Sequence, residues 1–484
     1  MDNPTVLIDK VSVPIGDAPN LLELIRKTGV ELPTFCYNPE LSIFGSCRMC
    51  MVEVDGRGIL PACSTSPESG MVVRTNTKQV RDLRKLVLEL ILASHEQDCT
   101  ACPKSSDCRL QAISKHLDVT EVRFKSMPHS NPTDVSSDSI VRDMGKCILC
   151  GDCVRACHEK QSVCALNFTH RGANARVMPA FQKDLAEVEC VSCGQCVKAC
   201  PVGALMVKPS AAGVWAAIYD SKKTVVVKVA PAARIALCKT FGEKSGTVGT
   251  GKLITALRMM GFNRVYDTTF SSAAVMAEVG REYEKCDKKP LFTSTCPAWT
   301  SFTEIFYPEL PGTLSVSKSP QQMFGTFCKD KLAKILGILR EDLVVVTVMQ
   351  CAAKKHEARL SKNAEDGDPN VDFVLTPKEL ILMIEESGVA WGALAPGEFD
   401  EPFVSPDVSG VGAGVLQTVT DLLGNDHGGY GITSSEAVVD GKPMKVAIVT
   451  GLANARVLID KIKSGEETYD LVKVMSCGDG CAHG

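Results

Sequence analysis

Nineteen of the 23 cysteines, together with one histidine, fall into five sets whose spacing suits iron–sulfur chemistry. Cys147, Cys150, Cys153 and Cys157 repeat as Cys190, Cys193, Cys196 and Cys200. Each run is spaced C-x2-C-x2-C-x3-C, and Pro201 follows the second. In two-cluster ferredoxin chains the fourth cysteine of each run serves the other cluster. Cys147, Cys150, Cys153 and Cys200 are therefore expected to hold one 4Fe-4S cluster, and Cys190, Cys193, Cys196 and Cys157 another. Upstream, Cys36, Cys47, Cys50 and Cys63 are spaced C-x10-C-x2-C-x12-C. That is not the plant-ferredoxin spacing, yet four thiolates from one short segment suit a 2Fe-2S cluster. His95, Cys99, Cys102 and Cys108 form H-x3-C-x2-C-x5-C. Zinc accepts three thiolates and an imidazole too, but the neighbouring motifs favour a third 4Fe-4S cluster with His95 as a ligand. Cys296 in TSTCPAW, Cys351 in MQCAAKKHE, and Cys477 and Cys481 in MSCGDGC make up the fifth set. Cys164 lies outside every set and is expected to be a small, buried apolar residue.

These ligands need scaffolds, and the hydrophobic pattern supplies four. Residues 1–78 alternate like strands at TVLIDKVSV and CMVEVDG around a helical NLLELIRKTG, as in a ubiquitin-like α+β domain carrying the 2Fe-2S site. Residues 79–125 begin with an amphipathic helix, QVRDLRKLVLELILASH, that delivers His95 to its three cysteines. The Ser-, Pro-, Asn- and Asp-rich SMPHSNPTDVSSD at 126–138 reads as a connector, opening a ferredoxin-like domain with two clusters at 126–208. Residues 209–484 alternate strand-like TVVVKVAPA, VVVTVMQC and MKVAIVTG with helical GKLITALRMMG and PKELILMIEESG, the pattern of an α/β domain. Within it, GTVGTGKL has Gly246, Gly251 and Lys252 at phosphate-loop spacing. Leu253 stands where a magnesium-binding Ser or Thr would be needed, so a plain loop before a helix is expected.

Composition narrows the class of function. A chain of 484 residues with 45% hydrophobic content is a multidomain globular protein. A net charge of −4 provides no broad basic field, so neither nucleic acid nor an anionic membrane surface is an expected partner. The apolar stretch LRKLVLELILASHE is interrupted by charges and too short to span a bilayer. MDNPTVLIDKVSV has no basic segment leading into an apolar run. A cytoplasmic, reducing setting is expected, where clustered cysteines bind metal instead of pairing.

The order of these domains resembles that of the FeFe hydrogenases over essentially the whole chain. The segments VKVAPAARIAL, GKLITALRMMGFNRVYDTTF, TSTCPAW, SKSPQQMFG, VMQCAAKKHE and VMSCGDGC carry the likeness. The resemblance implies an H-cluster, in which a 4Fe-4S cubane on Cys296, Cys351, Cys477 and Cys481 is bridged, through Cys481, to a diiron unit carrying carbon monoxide, cyanide and a dithiolate. It also implies that Lys354 holds a cyanide ligand, that Met349 and Met475 line the pocket, and that the reaction is reversible heterolysis of dihydrogen. The first 125 residues resemble the large subunit of NADH dehydrogenases, which takes electrons from a flavoprotein. No G-x-G-x-x-G dinucleotide fingerprint occurs in the chain. The implied partners are a flavoprotein subunit that oxidises NADH or NADPH, ferredoxin, or both, in a hetero-oligomer.

The departures from the family pattern fall around proton delivery. The usual TSCCP motif has a cysteine where this chain has Thr295, and a hydroxyl is a far poorer acid than a thiol. Glu278 matches one proton-path carboxylate, Arg281 aligns with a second, and Ser315 and Ser319 hold other relay positions. Gln350 replaces a usual proline, the loop near SPDVSGVGAGV is short, and the chain stops at Gly484 without a GGGQP tail. The expectation is slow or hydrogen-sensing turnover. The alternative is an electron-transfer subunit that keeps the cubane but lacks the diiron unit, within a flavoprotein or formate-dehydrogenase-type complex.

Overall fold

The computed structural model describes residues 4–125, 133–243, 246–424, 428–439 and 441–482. At the N-terminus, five strands lie in the order Val11–Pro14, Thr5–Ile8, Val72–Arg74, Met51–Val54, Gly58–Pro61. The helix Leu21–Arg26 packs Leu21, Leu22, Leu24 and Ile25 onto the sheet, and Asn20 caps it by accepting from the Glu23 N–H. The long loop between this helix and strand Met51–Val54 carries Cys36, Cys47 and Cys50.

Helix Lys78–Ala93 starts at the Thr77 cap and buries Val80, Leu88 and Leu92 along one stripe, ending two residues before His95. The first seven residues of the expected connector, 126–132, lie outside the described residues. Beyond it, two short antiparallel pairs frame the duplicated cysteine runs: Ile140–Arg142 with Leu205–Val207, and Asn167–Thr169 with Arg176–Met178. The duplication extends to the backbone. Leu149 and Ser192 take φ of 54° and 55°, and Gly151 and Gly194 take 78° and 74°, so both runs curl by the same left-handed turns. Cys164 is exposed, contrary to expectation, because its own φ of 60° belongs to a tight turn that carries its side chain away from the core.

The C-terminal region contains two four-stranded sheets. One is wholly parallel, in the order Arg264–Tyr266, Thr224–Val229, Leu343–Val348, Phe373–Leu375. The other joins Leu291–Phe292, Leu471–Met475 and Lys442–Thr450 in parallel and adds Gly431–Val439 antiparallel at its edge. The valine-rich central strands read as continuous apolar runs because parallel sheets are covered on both faces. GTVGTGKL is not a loop. It forms the start of helix Thr247–Met259, with Lys252 paired to Glu243 at 2.6 Å, and Gly251 allows the helix to touch Pro396 where a Cβ would come within 2.6 Å.

Strand Thr224–Val229 buries a lysine. Lys228 Nζ donates to Ser271 Oγ at 3.0 Å and to the Pro320 carbonyl at 2.7 Å, and no carboxylate touches it. Burial first, then the nearby Lys354 charge, lowers its pKa from 10.5 to about 7, while Cys328, Glu357 and Asp267 oppose the shift. Between these values the unfolded chain holds a proton that the native one does not, so this residue's contribution to stability rises with pH across that window. Below it the lysine is charged in both states and the full cost remains. Lys228→Met should therefore gain stability relative to wild type at pH 7, and that difference should shrink by on the order of 4 kcal/mol by pH 10 in urea unfolding.

Candidate metal centres

In the N-terminal domain, Cys47 N–H points at Cys36 sulfur at 3.4 Å and Phe35 N–H at Cys47 sulfur at 3.4 Å. The Cys47 thiol, ahead of its N–H, lowers the Cys36 pKa, and the Cys63 thiol lowers that of Cys50. Four sulfurs thus meet as two thiol pairs within one buried loop cluster, a donor set that fits a 2Fe-2S group.

His95 is buried, and burial holds its pKa below the ordinary value, so the ring is neutral, the form that ligates metals. Its Nδ1 is buried without a hydrogen-bond partner. Cys102 sulfur lies against the ferredoxin-like domain, where a Cβ on Gly203 would be 2.7 Å away.

In that domain the cysteines of the two runs approach one another. A cavity is lined by Cys147, Cys150, Cys153 and Cys200 together. Cys157 is electrostatically coupled to Cys190, Cys193 and Cys196. Burial is the leading cause that pushes Cys147 up to about 12 and Cys190 to about 11. Thiols in so apolar a place ionise only beside a compensating cation, which iron supplies. A single zinc ion needs its sulfurs about 2.3 Å from one centre. Among the described residues no group of three or more His, Cys, Asp or Glu side chains is arranged to hold a single metal ion.

The last set sits at strand ends. Cys351 follows Leu343–Val348, Cys477 follows Leu471–Met475, and Cys296 follows Leu291–Phe292, each beyond the carboxyl end of a parallel strand. Open parallel sheets place ligands there. Cys296 and Cys351 are also the residues preceding helices Pro297–Phe306 and Ala352–Glu357. Cys477 feels the charges of Cys351, Cys296 and Cys481. Cys477 is buried and Cys481 exposed. The structure therefore brings all four cysteines together, with Cys481 at the open side.

Around them lie the other residues expected from sequence. Lys354 Nζ donates to the Thr295 carbonyl at 3.1 Å and pairs with Glu357 at 3.0 Å, joining the two cysteine-bearing loops. Gln350, in place of the usual proline, donates to the Ala232 carbonyl at 3.0 Å. Met475 is buried and Met349 half-buried, in different core clusters. Ser319 caps helix Pro320–Phe327 by accepting from Gln322 N–H. Buried polar atoms of Thr293, Gln322 and Gln350 have no partner, which fits a centre that carries polar ligands of its own.

The residues aligned with the proton path lie on and around helix Thr269–Lys285. Glu278 is half-buried, and burial raises its pKa. Arg281 does not point toward the pocket; its guanidinium donates to the carbonyls of Asp407 at 3.0 Å and Ser409 at 3.2 Å. The inward carboxylate is Glu282, which accepts from Ser317 Oγ at 2.9 Å and has Oε2 buried without a partner. Ser317 N–H donates to Ser315 Oγ at 3.2 Å, and Ser294, beside Thr295, donates to the Ser317 carbonyl at 2.7 Å. Glu278 and Glu282 share one face of helix Thr269–Lys285, being four residues apart. That spacing was the available signal for Glu282.

Direct contacts join the segments that carry the candidate centres. Arg155 ties the ferredoxin-like domain to the 2Fe-2S loop by donating to the Cys36 carbonyl at 2.9 Å, and Cys102 abuts the same domain from another side. The second run then meets the C-terminal set, since Gln195 Nε2 lies 3.1 Å from Cys477 sulfur.

Comparison with known proteins agrees. Residues 223–484 match the family described as "Iron only hydrogenase large subunit, C-terminal domain". Residues 5–78 match a 2Fe-2S iron-sulfur cluster binding domain, 84–123 the NADH-ubiquinone oxidoreductase-G iron-sulfur binding region, and 146–204 a 4Fe-4S dicluster domain. The "NADP-reducing hydrogenase subunit HndD" of Solidesulfovibrio fructosivorans is 36% identical over 99% of this chain and 88% of its own length. "Iron hydrogenase 1" of Clostridium pasteurianum is 32% identical over 99% of this chain and 88% of its own. The mitochondrial "NADH-ubiquinone oxidoreductase 78 kDa subunit" of Neurospora crassa is 33% identical over 46% of this chain and 29% of its own. No described helix is long and apolar enough to cross a membrane. The chain therefore belongs to the iron-only, or FeFe, hydrogenase family, an iron–sulfur oxidoreductase with NADH-dehydrogenase-like cluster domains ahead of its hydrogenase domain.

Proposed function

We propose that this chain interconverts dihydrogen with protons and electrons at the Cys296, Cys351, Cys477 and Cys481 centre, and passes electrons along one 2Fe-2S and three 4Fe-4S relay clusters. The observation that carries it is the convergence of those four cysteines, three of them at strand ends, with the Lys354 ammonium joining the Cys296 and Cys351 loops. The diiron unit, when bound beside the cubane, supplies the hydrogen-splitting chemistry. The chain's residues do the rest. Lys354 holds an anionic ligand, Met349 and Met475 shield the pocket, and Thr295 Oγ1 takes the place next to the centre where an acid belongs. The lane of Ser317 and Glu282 carries protons between that place and solvent, and Ser319 holds the pocket helix in register.

The proposed partner of the two N-terminal cluster domains is a flavoprotein that oxidises NADH or NADPH; relatives named as an NADP-reducing hydrogenase subunit and an NADH-ubiquinone oxidoreductase subunit support the nicotinamide part of that reading. Ferredoxin is the other electron partner to be tested, and the cytoplasm the expected compartment.

The second reading, a relay subunit with the cubane alone, is favoured by Thr295. One measurement separates the two: after maturation with the diiron unit's assembly factors, infrared bands of carbon monoxide and cyanide are expected on this chain, and their absence selects the relay. Iron analysis is expected to give one 2Fe-2S and four 4Fe-4S clusters per chain. Anomalous scattering should show iron at the His95 site, and zinc there would remove one relay.

A further inference from the structure

Gln195 belongs to the second cysteine run by sequence but serves the neighbouring centre by contact. From between Cys193 and Cys196 its side chain leaves the run and donates from Nε2 to Cys477 sulfur at 3.1 Å. Its carbonyl oxygen accepts from the Tyr430 hydroxyl at 3.0 Å, and this fixes which end of the amide faces sulfur. Gln195 is only 4% exposed. Tyr430 is itself clamped: its ring fills the space over Gly451 and Gly478, where a Cβ would fall 2.6 and 2.7 Å from ring carbons, and the Lys160 ammonium lies 4.9 Å from its centroid. Burial keeps the phenol well above its ordinary pKa, so it remains a donor.

The backbone holds the same approach. Gly194 takes a φ of +74°, and a Cβ there would lie 2.8 Å from Ala352, the residue after Cys351. Gln161 adds a second tie, donating to the Ser476 carbonyl at 2.8 Å. The second relay run therefore presses against the segments of two of the four cysteines, and Gln195 presents an oriented N–H to one sulfur.

We propose that Gln195 is a positioning residue that sets the reduction potential of the Cys477 centre, with Tyr430 aiming its amide. The inference rests on the assignment of Cys296, Cys351, Cys477 and Cys481 as a cluster site. A hydrogen bond to a ligand sulfur stabilises the state with more negative charge, so it favours the reduced centre. The step it biases moves one electron from the Cys157, Cys190, Cys193 and Cys196 cluster, which is oxidised, to the Cys477 centre, which is reduced. No atom or proton moves with it.

The test is an EPR-monitored redox titration of the full chain reconstituted with iron and sulfide. The relevant signal is the one that a Cys296→Ala/Cys351→Ala variant lacks. Gln195→Leu, close in size but without the N–H, should cut the ratio of reduced to oxidised centre at fixed potential about tenfold, or ~59 mV for a one-electron couple. Gln195→Glu should shift it at least as far in the same direction, because it adds negative charge beside the sulfur. Tyr430→Phe, which leaves Gln195 in place, should shift it less but with the same sign. An unchanged midpoint in Gln195→Leu and Tyr430→Phe, with the signal present, overturns the inference. If wild type shows no signal that the double cysteine variant removes, the cluster assignment itself fails, and this inference with it.

Discussion

Thr295→Cys is expected to raise hydrogen evolution by about 10²- to 10⁴-fold, the usual contribution of a well-placed acid or base. Thr295 is half-buried, directly before Cys296, and its carbonyl is held by Lys354 at 3.1 Å. Its backbone is thus fixed next to the centre, and the variant changes only what the side chain can donate. A threonine hydroxyl does not release its proton near neutrality, whereas an unperturbed thiol has a pKa near 8.5. In the proposed outer lane Ser317 donates to Glu282 at 2.9 Å. Adding Glu282→Gln to Thr295→Cys should therefore remove most of the gain. Arg281→Glu should have no such effect, because the arginine is engaged by the carbonyls of Asp407 and Ser409. Rates with a reduced low-potential dye are to be compared at equal infrared band intensity. Wild-type turnover already matching Thr295→Cys at equal occupancy would refute the proton-transfer limit.

Legibility differed between ligands and pocket for a physical reason. Cluster ligands come from short runs whose spacing is imposed by the cluster itself, so a crossed sharing of Cys157 and Cys200 could be proposed from chain order, and the fold places Cys200 beside Cys147, Cys150 and Cys153 and Cys157 near Cys190, Cys193 and Cys196. The α/β alternation was also legible, because Thr224–Val229 and Leu343–Val348 are unbroken apolar runs. What spacing could not show is how these strands divide. Leu471–Met475 and Lys442–Thr450 form a second sheet, and the division is made by tertiary packing. Side-chain direction was the other gap. Linear alignment puts Arg281 at a relay position, and a helix turns neighbouring residues about 100° apart, so Arg281 meets the carbonyls of Asp407 and Ser409 while Glu282 meets Ser317. The phosphate-loop likeness of GTVGTGKL failed for a similar reason: glycines within a packed helix give close approach, here to Pro396, as readily as they give a loop. Gln195 carries no signal in the spacing, where it is one of the two residues between Cys193 and Cys196. Only the fold reveals that its amide reaches a cysteine 282 positions away in the chain.

Lys354→Met is expected to abolish the carbon monoxide and cyanide infrared bands while leaving the iron–sulfur EPR signals in place. The ammonium is buried, and its partners are the Thr295 carbonyl at 3.1 Å and the Glu357 carboxylate at 3.0 Å. Glu357 is held in turn by Gln321 Nε2 at 3.1 Å, and Gln321 accepts from Thr347 at 3.0 Å. This frame fixes the lysine at the junction of the Cys296 and Cys351 loops, where it can meet an anionic ligand of the diiron unit. Methionine fills similar volume without charge. It also strands a buried carboxylate, so the single variant should lose about 3–5 kcal/mol of stability. That loss confounds binding with folding, and Lys354→Met/Glu357→Gln separates them. Neutralising both partners should recover much of the stability, because an amide keeps its hydrogen bond with Gln321 and carries no unpaired charge. The bands should stay absent, since no cation remains to hold the ligand. Glu357→Gln alone keeps Lys354 and should retain them. Bands of wild-type intensity in Lys354→Met would show that the diiron unit is held by other groups, and recovery of the bands along with stability in the double variant would make Lys354 a purely structural residue.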